Sequence, residues 1–218
     1  MNTHLLNQRI RACKKIMADV TNLQIQSNNR LSSDENRLYI TNAYAGSDPS
    51  MHAAAMAKHK ELTKRNDGLQ AVRTANARFM KTEHLGDVNQ VATVVIRQRY
   101  GNCHERSLVF LQKLCALHSA QSSAPNAYAR LFYTNPLYDH IFLAITSTIV
   151  PGMVRTLPIY LEDLGREAVI ADAWQDHVYA AHVDCEGPGP SPQAEEVRKK
   201  VKTLPLHPEI AAFPLVFS

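Results

Sequence analysis

The chain has 218 residues, 45% of them hydrophobic and 20% charged, enough for one domain or a catalytic core with a helical extension. That composition excludes a disordered, collagen-like or coiled-coil chain, and no apolar stretch approaches the ~18 residues of a membrane span. The formal net charge of +4 hides a basic half (positions 1–100) and an acidic half. The basic residues are spread over helical segments with few aromatics among them, which reads as solvated helix faces and not as a nucleic-acid surface.

Met1 to Arg11 is polar and basic, with no apolar block before a small-residue cleavage site, so no secretory signal is expected. The four cysteines, Cys13, Cys103, Cys115 and Cys185, form no CxxC. They predict free thiols in a reducing compartment. Leu6, Ile10, Cys13, Met17, Val20 and Leu23 predict a helix over 3–25, and the Ser-, Asn- and Asp-rich stretch 27–48 a connection. Asp48-Pro49 opens a second helix to about Lys64; Asn66-Asp67-Gly68 is expected to break it. A third helix is expected over 69–83 and a fourth over 87–98.

The second half changes character. A helix is expected from Cys103 to His118, with Leu108, Leu111, Leu114 and Cys115 as its buried stripe. Candidate strands follow at Tyr128 to Tyr133, Asp139 to Thr148 and Ala168 to Trp174, separated by Asn135-Pro136 and Pro151-Gly152. A Gly- and Pro-rich run at 187–192 precedes a short charged helix over 193–202 and a Pro-punctuated tail. The expected fold is α+β: a helical subdomain over 1–98, a core over 99–186 with a helix packed on an antiparallel β-sheet, and a C-terminal segment over 187–218 packing on or trailing that core.

Three segments place reactive residue types at the edges of these elements. Cys103 falls in the first turn of a helix, where unpaired N–H groups and the positive dipole end favour a thiolate, and Gly101 permits a tight entry. By strand alternation His140 shares a face with Phe142 and Ala144, and Asp172 with Ile170 and Trp174. If the two strands are neighbours, one register sets Asp172 beside His140, with the Cys103 helix expected across the same face. The product is a thiol, a general base and an orienting carboxylate. Taken singly, each residue also reads as a buried structural thiol, a satisfied strand histidine and a turn or cap carboxylate; the conjunction favours chemistry. His104 diverges from Cys103 by ~100° on a helix, Glu105 is expected to stabilise the first turn, Asp139 points opposite to His140, and Asp176 and His177 read as loop residues. Cys115-x-x-His118 and His182-x-x-Cys185 would make a zinc site only if all four converged; no metal and no cofactor is expected.

The run Gly101-Asn102-Cys103-His104-Glu105 opening a helix, then Asp139-His140-Ile141-Phe142, then Asp172-Ala173-Trp174, resembles the transglutaminase-like and papain-like cysteine enzyme superfamily, in the form used by secreted effectors of intracellular bacteria. The resemblance covers about residues 97 to 176. It implies Cys103 as nucleophile, His140 as base and Asp172 as orienting acid. It implies acyl transfer on glutamine of host proteins, by cross-linking to a lysine amine or by deamidation. It also implies delivery to the host cell cytoplasm by a route without a signal peptide. Protein substrates are expected to reach the site through an open cleft, so a partner protein covering that cleft is expected to inhibit. Animal transglutaminases use a Trp near the Cys to hold the oxyanion; the only Trp here is Trp174, after the Asp. Beside the Cys103 N–H, the amides of Gln98 or Asn102 are the candidate oxyanion donors. Tyr100 and Trp174 are candidate cleft walls, with core packing as the competing reading. Cysteine proteolysis and arylamine N-acetyl transfer (from Arg99-x-Gly101-x-Cys103) remain as enzymatic alternatives. A binding module that docks a partner through its basic half is the non-enzymatic one.

Overall fold

The computed structural model describes residues 3–27, 49–77, 84–120, 123–134, 140–149, 159–182, 191–208 and 212–217. Within them lie helices α1 (Thr3–Asn22), α2 (Pro49–Asn76), α3 (Leu85–Gln98), α4 (Cys103–His118) and α5 (Pro192–Lys202), and strands β1 (Ala127–Thr134), β2 (Ile141–Thr146), β3 (Val169–Asp172), β4 (His177–Ala180), β5 (Leu206–Pro208) and β6 (Phe213–Leu215). The fold is α+β, helices first and an antiparallel sheet after, as the residue pattern predicts. No helix of the described residues is long and apolar enough to cross a membrane.

The sheet runs β4-β3-β2-β1-β5, and β6 pairs with the other end of β1. The Pro-punctuated tail therefore supplies two edge strands. Pro208 lies opposite Phe132 and Pro214 opposite Tyr128, places where a missing N–H costs no central ladder bond. Strand alternation sorts the core. Leu131, Leu143, Ile145, Val169 and Ala171 face a helical layer contributed by Leu6, Ile10 and Val20 of α1, Val91 and Val95 of α3, and Leu108, Leu111 and Leu114 of α4. Phe132, Phe142, Ala144, Ile170 and Tyr179 face the other way, onto Ala194 and Val201 of α5 and the 3-10 turn Leu161–Leu164.

Three local expectations need correction. Asn66-Asp67-Gly68 does not break a helix: α2 runs unbroken through it. Gly in a helix interior costs about 1 kcal/mol, but here the bare backbone lets the Tyr100 ring lie against α2; a Cβ on Gly68 would sit 2.4 Å from that ring. The third strand stops at Asp172, because Asp172 Oδ1 accepts from the N–H of Trp174 (3.2 Å) and of Gln175 (3.1 Å) and turns the chain. Trp174 is thus a turn residue. His177 is not in a loop; it opens β4, paired with Asp172, while Asp176 ends the turn at φ 60°. Residues 28–48 of the connection expected over 27–48, Asp139, Asn135-Pro136, Pro151-Gly152, Cys185 and the Gly/Pro run as far as Pro190 lie outside the described residues.

Candidate active site

The site begins where α3 ends. Arg99 takes a left-handed conformation (φ 61°) and reverses the chain. Gln26 N–H donates to Arg99 O (2.8 Å) and Gly101 N–H to Gln26 O (3.0 Å), fastening the segment after α1 to this linker. A Cβ at Gly101 would approach the Glu105 Cβ to 2.8 Å, so the entry into α4 requires Gly for space and not for its φ. Asn102 then caps α4. Its N–H donates to Glu105 Oε2 (2.9 Å) in a capping-box arrangement. Glu105 is fully buried and bonded by Arg73 Nε at 2.9 Å. Burial alone would raise its pKa; the Arg73 guanidinium, with smaller help from His104 and the Asn102 N–H, holds the carboxyl below the usual range.

Cys103 is the first residue of α4 and only half-buried. Its N–H belongs to the turn that has no intrahelical acceptor. Cys13 and Cys115 are buried, and burial pushes both thiols up to about 12. Exposure therefore separates Cys103 from the two structural thiols described beside it.

His140 immediately precedes β2 and is 3% exposed. Its backbone is pinned to the end of β1: Thr134 N–H donates to His140 O (2.9 Å), and His140 N–H donates to Thr134 Oγ1 (3.3 Å). The β2–β3 register pairs Leu143 with Ala171 and Ala144 with Ile170. Extended outward, it sets Asp172 across from Phe142, one diagonal step from His140. The His140 Nε2 lies 2.7 Å from Asp172 Oδ2, and Asp172 is wholly buried. Cys103 stands close enough to this ring to act on the imidazole as well. Burial would depress the imidazole. The Asp172 charge and hydrogen bond, with the smaller effect of Cys103 behind them, outweigh burial and raise His140 to about 10, which favours the charged form of the ring.

The structure thus brings Cys103, His140 and Asp172 together, by a different route from the expected one. The apolar stripe of α4 packs against the Leu143–Ala171 face, whereas His140 and Asp172 share parity with the opposite face. The thiol meets the imidazole because the first turn of α4 reaches the end of the sheet, beyond the last paired residue of β2. Strand parity correctly groups His140 with Asp172 but cannot say which face a helix covers.

The remaining candidates sit as follows. Trp174 is half-buried, its ring 5.5 Å from the His140 ring at 57°. Its indole N–H donates to Ser27 Oγ (3.4 Å). Ser27 Oγ in turn donates to Asn102 Oδ1 (2.9 Å), which fixes the orientation of the Asn102 amide. Gln98 is the last residue of α3, half-buried and five residues before Cys103. Tyr100 is packed on Gly68 and the helical core, which answers to the packing reading. Cys115 and His118 lie at the far end of α4, where His118 stacks on Phe217; His182 is bonded to Glu162 O (3.1 Å). Among the described residues no three His, Cys, Asp or Glu side chains form a metal-holding group.

Ser27, Thr134 and Arg106 are not apparent from sequence. Ser27 lies in a polar stretch with no periodicity and Thr134 at a strand end, so neither carries a signal. Arg106 reads as one more charge in the polar run His104-Glu105-Arg106-Ser107, with nothing in the pattern to mark it as buried. It is 3% exposed. Comparison of the chain with protein-family models, with curated proteins and with solved structures finds no match to any of them.

Proposed function

We propose that the protein is a cysteine-dependent acyl transferase acting on the side-chain amide of protein glutamine. The observation that carries this reading is an imidazole whose Nε2 lies 2.7 Å from a wholly buried carboxylate, with a half-buried helix-start thiol close to the same ring. A thiolate of Cys103 attacks the glutamine Cδ. The His140 imidazolium gives its proton to the departing nitrogen, ammonia leaves, and a thioester remains. Neutral His140 then removes a proton from the incoming nucleophile, a lysine amine or water, which displaces the thiol as isopeptide or as glutamate. Asp172 holds the ring tautomer and offsets the imidazolium charge. In this reading the Cys103 N–H, with the amide of Asn102 or Gln98, receives the oxyanion.

The preference for glutamine over a peptide bond rests on the resemblance of Gly101-Asn102-Cys103, Asp139-His140 and Asp172-Ala173-Trp174 to transglutaminase-like effectors. So do the host-protein substrate and the host cytoplasm as place of action. The test is incubation of host-cell extract with wild-type or Cys103→Ala protein and a biotinylated primary amine, followed by peptide mass mapping. Cys103-dependent amine incorporation or Gln-to-Glu conversion is expected. Cys103-dependent backbone cleavage alone would make it a protease, and no Cys103-dependent change would remove the enzymatic reading.

A further inference from the structure

Helix α4 carries the nucleophile on one side of the sheet, while the base and the acid belong by parity to the other. Apolar packing through Leu108, Leu111 and Leu114 holds α4 against the sheet, but such contacts are non-directional and tolerate small slides. A directional tie is needed to fix the thiol against the imidazole, and Arg106 supplies one. It stands one helical turn after Cys103, on the same side of α4. Its Nε donates to Ala173 O at 2.6 Å, one NH2 group to Asp176 Oδ1 at 2.6 Å, and the other to Ile25 O at 3.3 Å. Ala173 and Asp176 bound the turn that Asp172 itself closes from within, through the N–H groups of Trp174 and Gln175. Asp176 is held a second time by Thr21 Oγ1 (2.9 Å). Ile25 lies two residues before Ser27, which links Trp174 and Asn102. One planar fork therefore joins three segments: the nucleophile helix, the turn that orients the acid, and the segment after α1 whose Ser27 bonds the Asn102 cap.

We infer that Arg106 is a positioning residue of this site: it locks the Cys103 turn of α4 to the Ala173–Asp176 turn, and so sets the alignment of the thiol with the His140–Asp172 pair. The inference rests on Cys103 and His140 acting as a pair, and its test needs no substrate. Lysine at this position keeps the charge but cannot reach three acceptors in fixed geometry, and misplacement of reacting groups by about 1 Å is worth up to about 10²-fold.

The experiment compares wild type, Arg106→Lys and Asp176→Asn by three readings: the iodoacetamide rate of Cys103 from pH 5.5 to 9, the imidazole NMR shifts of His140 over the same range, and the urea midpoint. Arg106→Lys is expected to slow Cys103 alkylation at pH 6.5 by about tenfold and to move the His140 titration downward. Asp176→Asn, which leaves the Ala173 and Ile25 bonds in place, should do the same to a smaller extent. A lower urea midpoint with an unchanged alkylation profile and unchanged imidazole shifts would make Arg106 a structural residue only and overturn the inference. If Arg106→Lys does not fold, Asp176→Asn decides the matter, and an unchanged profile there overturns the inference equally. Absence of glutamine chemistry in any extract would undo the proposed function while leaving this result standing.

Discussion

Replacing Asp172 by Asn tests the electrostatics of the site most directly, because the amide keeps the shape and removes the charge. In the folded protein Asp172 Oδ1 serves the turn N–H groups of Trp174 and Gln175, and Oδ2 serves His140. An Asn that keeps the turn must offer its NH2 to His140 Nε2, which then has to be an unprotonated acceptor. The imidazolium is lost. In the wild type His140 stands at about 10, above its unfolded value of about 6.5. The charged pair therefore stabilises fully below about pH 6.5, and that stability is lost as pH rises through the folded value. Between the two, the native state holds one proton more than the unfolded state, a slope of about −1.4 kcal/mol per pH unit. The variant lacks this slope. Urea unfolding of both proteins from pH 6.5 to 10 should show a gap of about 3–5 kcal/mol at the acid end, closing as pH rises. The same pair compared in a Cys103→Ser background isolates the His140–Asp172 pair from the thiol. Parallel stability curves for wild type and Asp172→Asn over that range would refute the reasoning, since His140 would then not be the cation. Alkylation of Cys103 at pH 6.5 should fall in step with the lost imidazolium.

Brief labelling with iodoacetamide at pH 7 followed by peptide mapping should mark Cys103 and leave Cys13 and Cys115 unmodified, because burial holds those two thiols at about 12; equal labelling of all three would remove the distinction drawn between them. Cys103→Ala should abolish amine incorporation while changing the unfolding free energy by less than about 1 kcal/mol, whereas Cys115→Ser, which sets a hydroxyl in the α4 stripe, should keep activity and cost about 1–3 kcal/mol. His140→Ala leaves the wholly buried Asp172 without its partner, so it should both slow Cys103 alkylation below pH 8 and destabilise by about 3–5 kcal/mol; a silent variant would mean the pair carries neither role. Arg9 is wholly buried and donates to Ser147 Oγ, Glu167 O and Asn126 O, so Arg9→Met should cost about 3 kcal/mol in urea unfolding with no change in the Cys103 alkylation rate, which separates general stability from the site.

What the sequence could disclose follows from which forces are local. Period-2 alternation is local, and it groups His140 with Asp172 without knowledge of any contact; one register then makes them diagonal neighbours. Helix-start chemistry is local as well, so Gly101, Asn102 and Glu105 announce the first turn of α4. Tertiary choices are not. Gly68 reads as a breaker until the Tyr100 ring is seen to occupy the space a side chain would fill. Proline reads as a loop until Pro208 and Pro214 are found on edge strands. The face of the sheet that α4 covers is set by how all the apolar stripes pack together, and the pattern of a single strand cannot contain it. That choice is the one the site depends on. Because α4 lies on the face opposite to His140 and Asp172, the thiol can reach the imidazole only at the end of the sheet, where His140 precedes the ladder and Asp172 leaves it. Both ends are held by side chains that terminate strands, Thr134 on β1 and Asp172 on β3. A longer β2 or β3 pairing would extend the sheet between thiol and base; the short strands and the turn closed by Asp172 keep that end open to the first turn of α4.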